Sequence, residues 1–155
     1  MKNFSLLSSV RTKSDLNAAR EEIEVIRQAI YKKNYRDFLK KSVRVSTYDY
    51  LSSVKFDLVK IKSLIEDAEK NLDKFKILTL TIAFDPTESF AEKVNFWVKE
   101  NLGEAVAIDF KKNQGITGGA EVVFEGIYRN YTLGKILEEG LDKEKGAIIG
   151  KLKAN

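Results

Sequence analysis

Apolar residues fall at Leu51, Val54, Leu58, Ile61, Ile65, Ala68, Leu72 and Phe75, an unbroken alternation of three and four. A helix turns once in about 3.6 residues, so this spacing lines one stripe of a helix and no face of a strand. Lysines and acids fill the positions between. A stripe this narrow is the kind that coiled coils use. The spacing predicts one long helix opening at Ser46-Thr47-Tyr48-Asp49, which has the form of a capping box with Asp in place of Glu. Two readings stay open. The stripe can be buried against an upstream helix as an antiparallel hairpin, or it can form a surface for another subunit's long helix. In the second reading Leu51, Val54, Leu58, Ile61, Ile65 and Leu72 are partner-binding residues.

The upstream helix is equally legible. Ser14 is its expected N-cap and Asp15 suits the positive end of its dipole. Leu16, Ala19, Ile23, Ile26 and Ile30 then form one stripe, with Arg20, Glu21, Glu22, Glu24, Arg27 and Gln28 on a solvated face. The pattern weakens at Lys32-Lys33-Asn34, and Phe38-Leu39 either continues it or belongs to a short second helix.

Beyond Phe75 the periodicity changes. Ile77 to Phe84 is β-branched and apolar in near alternation and predicts a strand. Asp85-Pro86-Thr87-Glu88 turns the chain, with Thr87 a helix cap. Phe90, Val94, Trp97, Val98 and Leu102 mark the inner face of the helix that follows, and Gly103 stops it. Glu104 to Phe110 alternates again as a second strand. Gly118-Gly119 supplies a turn into Ala120–Phe124, Gly126 a reversal into Ile127-Tyr128, and Thr132 caps a last helix through Leu133, Ile136 and Leu137. The expected fold is α+β: a helical hairpin or coiled coil over 1–75, a small α+β unit over 76–141 and a tail over 142–155.

Composition narrows the chemistry. The chain has no histidine and no cysteine, which removes the commonest general base, thiolate catalysis and the usual soft-metal ligands. Acid pairs such as Glu21-Glu22, Glu66-Asp67 and Glu138-Glu139 read as solvated helix surface. The glycines at 115, 118 and 119 lead into a strand with no Gly-Lys-Ser/Thr after them, so a phosphate loop is disfavoured. Trp97 and Phe90 fall at core spacing and not on a stacking platform for nucleic acid. The net charge of +4 is modest and reads as spread along the chain, compatible with an anionic partner without requiring one. The expectation is a protein without an active site, cofactor, metal or small-molecule substrate. The first ten residues are too short and polar for a signal segment, and no stretch approaches membrane-spanning length, so the expected location is cytoplasmic.

The order Phe84-Asp85-Pro86-Thr87-Glu88, Ile116-Thr117-Gly118-Gly119-Ala120, Gly126-x-Tyr128 and Tyr131-Thr132-Leu133 resembles the C-terminal region of the F-type ATP synthase delta subunit, the family of the oligomycin sensitivity conferral protein. The likeness spans Phe75 to Leu141. Gly118, Gly119, Gly126, Tyr131, Thr132 and Leu133 are its structural motif residues. The chain departs from the pattern in lacking the proline before Ile116, in carrying Thr117 after it, and in having Asn130 where an aspartate is usual. Upstream, the family begins with a six-helix bundle, for which Met1 to Lys74 is short. The resemblance implies a peripheral-stalk subunit linking the catalytic head to the stalk during proton-driven ATP synthesis. Its partners would be the alpha and b subunits, and it would associate with the cytoplasmic face of the inner or plasma membrane only through the complex. A soluble coiled-coil adaptor and a basic nucleic-acid-binding protein are the alternatives.

Overall fold

The computed structural model describes residues 9–139; Met1 to Ser8 and the tail from 140 onward, including the span 142–155, lie outside the described residues. The chain is α+β, with six helices and one mixed four-stranded sheet among the described residues. None of these helices is long and apolar enough to cross a membrane. Two units are distinguished: Met1–Lys76 with Lys99–Ala107, and Ile77–Val98 with Ile108–Asn155. The units are discontinuous in sequence: the end of one helix and the start of one strand group with the helical unit.

The helical unit contains four helices before the sheet. Helix α1 (Lys13–Ala29) begins one residue before the expected cap: Thr12, and not Ser14, is its N-cap. Thr12 Oγ1 accepts from Asp15 N at 3.2 Å, and Asp15 Oδ2 accepts from Thr12 N at 2.9 Å, a reciprocal capping box that Ser14 cannot form from inside the first turn. Helix α2 (Tyr35–Ser42) is the short second helix, buried through Leu39.

The long helix expected through the 51–75 stripe is two helices, α3 (Val45–Ser53) and α4 (Leu58–Leu72). The expected cap residues lie inside α3; Arg44 is its N-cap, without a side-chain cap bond, and Thr47 is buried. Between the helices Lys55 and Phe56 adopt positive φ, 56° and 52°. Asp57 then caps α4, its Oδ1 accepting from Val59 N at 3.0 Å. The left-handed pair turns the Phe56 ring toward Tyr48 and Tyr35, with centroids 5.5 and 6.1 Å away. Periodicity did not reveal this break because the apolar spacing continues through it: residues 51, 61, 65, 68 and 72 all point into the unit on either side of the turn.

Helix α1 packs against α4 and α2. Arg20 meets Asp73 and donates to the Leu72 carbonyl at 3.5 Å, while Arg27 pairs with Glu69, so α1 and α4 run antiparallel. Glu22, assigned to the solvated face by sequence, is buried: it accepts from Arg44 N at 2.8 Å and Arg44 Nε at 2.7 Å. The carboxylate thereby serves the N-terminus of α3 in place of a local side-chain cap.

In the second unit the sheet order is β2-β1-β3-β4. Strand β1 (Lys76–Ile82) buries Leu78, Leu80 and Ile82 on one face. Helix α5 (Glu88–Leu102) connects it to β2 (Val106–Lys112). Lys76 N donates to Ala105 O where both strands begin, and Asn113 N to Ile82 O where both end, so β1 and β2 are parallel. Strands β3 (Ala120–Phe124) and β4 (Ile127–Asn130) form an antiparallel hairpin, and β3 pairs antiparallel with β1 from Leu78↔Phe124 to Ile82↔Ala120. Helix α6 covers 133–139.

Two expected faces are corrected. On α5 the buried residues are Asn95 and Val98, whereas Trp97 is 56% exposed. The inner stripe runs through a polar residue, so a reading by apolarity alone rotates it. On β2 Val106, Ala107 and Ile108 are all buried, so this strand is covered on both faces at its start and not only on one.

Candidate functional site

Gly118 and Gly119 meet the Tyr131-Thr132-Leu133 segment at one place in the second unit. Gly118 and Gly119 have φ of +70° and +81°. A Cβ on Gly119 would overlap the carbonyl oxygen of Tyr131 and lie 2.9 Å from the Thr132 Cα, so only glycine admits the returning backbone here. The two segments are joined on either side of that approach: Tyr131 N donates to Ala120 O at 2.8 Å, and Leu133 N donates to Gly118 O at 3.1 Å. The result is a backbone clasp closing the base of the hairpin. Its tip is a two-residue turn, Glu125-Gly126, both at positive φ as the type I′ turn requires.

The clasp leads directly into α6. Thr132 is buried, and its Oγ1 accepts from Lys135 N at 3.4 Å in the capping direction. Asn130 Oδ1 accepts from Thr132 N at 2.9 Å and from Thr132 Oγ1 at 2.7 Å. Both contacts use the oxygen of Asn130, which an aspartate would supply equally. Asn130 thus supplies the acceptor that orients the cap. Beside it, desolvation holds the Tyr128 phenol above its ordinary value, and its hydrogen bond to the Glu121 carboxylate adds to the effect.

The motif side chains differ in what they offer outward. Tyr131 and Leu133 are exposed, as are Ile136 and Leu137, and 133, 136 and 137 share one face of α6 at spacings of three and four. Ile127 on β4 and Val123 on β3 are exposed apolar residues of the same unit. Leu133, Ile136 and Leu137 are each more than half exposed.

The partner-binding candidates in the helical unit are placed differently. Leu51, Ile61, Ile65 and Leu72 are buried within the chain, none more than 4% exposed. Val54 is half-buried and Leu58 is the most exposed of the six, at 42%. The stripe is therefore largely consumed by the unit's own packing, which sequence spacing cannot distinguish from packing on a second chain. Among the described residues no group of three or more His, Cys, Asp or Glu is arranged to hold a metal ion.

No protein-family model matches the sequence, and no curated protein matches it either.

Proposed function

We propose that this chain is a non-catalytic subunit of the peripheral stalk of an F-type ATP synthase, related in its second unit to the C-terminal region of the delta family. The observation that carries the reading is the clasp. The two glycines, the hairpin, the Asn130–Thr132 pair and α6 form one continuous backbone arrangement, and these are the residues on which the resemblance rests. The strand-helix-strand-hairpin-helix order supports it further. A glycine pair whose second member cannot tolerate a Cβ gives the motif a packing reason and no chemical one.

In this reading the exposed apolar face of α6 receives the stalk b subunit. The outward surfaces of α1 to α4 meet the alpha subunits of the head, since the 51–72 stripe is turned inward. The subunit holds the head against the torque of the shaft, and it reaches the cytoplasmic face of the membrane only through the complex. Stiffness and affinity are the properties required, and no bond is made or broken on this chain.

Affinity capture with the full chain from detergent-solubilised native membranes tests the proposal. The expected result is co-purification of the alpha and b subunits at defined stoichiometry. Recovery of unrelated soluble proteins alone overturns it.

A further inference from the structure

The net charge is not spread evenly. Residues 32–41 contain Lys32, Lys33, Arg36, Lys40 and Lys41 against Asp37, a net of +4, which equals the formal charge of the whole chain. The remaining residues hold 22 cations (27 less 5) and 22 acids (23 less 1) and are balanced. The cations lie on the turn after α1 and along the outward face of α2, whose Leu39 is buried and whose Tyr35 and Phe38 are half-buried. Lys33, Lys40 and Lys41 are exposed and make no ion pair among the described residues.

Three features define what this ridge fits. Four aromatic rings around it carry a cation of this chain: Lys32 over Phe38 at 3.5 Å, Arg36 over Phe56 and Tyr35 at 5.1 and 5.8 Å, and Lys62 over Tyr31 at 5.7 Å. Rings so engaged are poor platforms for stacked bases. The guanidinium groups are also committed, Arg36 to those rings and Arg44 to Glu22, which leaves lysine point charges rather than planar forks for phosphate. Of the apolar residues of α2, Leu39 is buried and Tyr35 and Phe38 are half-buried, so the helix itself presents no exposed aliphatic row for burial in a lipid interface. What remains are the ammonium groups of Lys33, Lys40 and Lys41, point charges suited to an array of carboxylates.

We propose that the 32–41 ridge is a docking surface for an acidic protein segment. The inference stands on the charge distribution and the cation-capped rings and does not depend on the stalk reading. Where that reading holds, the acidic segment lies on the head.

The test is binding of the full chain to a labelled glutamate-alanine peptide of about 20 residues, long enough to form a helix. Binding is expected to weaken steeply from about 0.1 to 1 M salt, as the Debye length falls from about 10 to 3 Å. The triple variant Lys33→Gln/Lys40→Gln/Lys41→Gln should bind about tenfold more weakly, in line with three exposed ion pairs. The control Lys70→Gln/Lys93→Gln/Lys111→Gln carries the same net charge, +4 less 3, and should bind like the parent chain. Circular dichroism of both variants establishes that they are folded. Equal weakening in the control overturns the proposal, because total charge and not the ridge would then be responsible. Tighter, ridge-dependent binding of single-stranded RNA or of phosphatidylserine vesicles also overturns it by assigning the surface to another partner.

Discussion

Two glycines with nearly the same backbone angle have different consequences. Gly119 and Gly126 have φ of +81° and +79°, but a Cβ at 126 meets nothing within 4 Å while one at 119 runs into the 131–132 backbone. Gly126→Ala carries only conformational strain and should cost about 1 kcal/mol. Gly119→Ala must also push two backbone segments apart and should cost more than about 3 kcal/mol, enough to unfold a marginal unit. Urea titrations of the two variants check this, and equal losses would show that the close approach is not made in solution. That glycine is needed at 118–119 was legible from the sequence, but the reason was not. A Gly-Gly pair signals freedom at a turn, whereas the observed constraint comes from Tyr131, across the eleven intervening residues Ala120 to Asn130, and so is invisible to any local reading.

At the level of elements, the most consequential difference between pattern and structure is the α3–α4 break. Helical spacing registers which side chains point inward, and a turn that preserves inward pointing leaves no trace in it. Glycine and proline, the usual signs of interruption, are both absent from 54–57. Lysine at φ 56° is held there by its surroundings, since Lys55 N donates to Ser52 O at 2.9 Å and Phe56 N donates to Leu51 O at 3.0 Å. Lys55→Gly should therefore stabilise the helical unit by about 0.5–1 kcal/mol by relieving the left-handed strain. Thermal unfolding followed at 222 nm measures it; a lower melting temperature would mean that 51–72 forms one continuous helix. The hairpin, by contrast, was read correctly, because Glu125-Gly126 is a local turn signal flanked by β-prone residues. The rotated face of α5 was missed because Asn95, buried with its Oδ1 lacking a hydrogen-bond partner, is the wrong chemistry for an inner position.

For the molecule as a whole, the helical unit spends most of its 51–72 stripe on its own packing, while α6 carries three apolar side chains outward at helical spacing. Leu133, Ile136 and Leu137 stand on the outer face of a helix whose N-terminus is fixed by the clasp. Replacing all three by serine should leave the urea midpoint within about 0.5 kcal/mol of the parent, as for surface positions. Under the proposed stalk function, capture of the b subunit should fall about tenfold or more, since these residues would anchor the contact. Undiminished capture would place that contact elsewhere on the chain. Partner identity was never in the periodicity, since a helix stripe looks the same whichever chain covers it, and only burial separates the two uses.

The clasp at Gly119 and Tyr131 also limits how the chain can vary. The residues between them run out along β3 and back along β4 in fixed register, Glu121 opposite Asn130 and Phe124 opposite Ile127. One residue added to either strand would turn every later side chain to the opposite face and carry the Tyr131 carbonyl away from the glycine. Length can change here only by matched additions, one on each strand, or at the exposed Glu125-Gly126 tip. The segment that closes the hairpin is thus its least tolerant to insertion, and its tip is the natural place to graft a tag or a foreign loop.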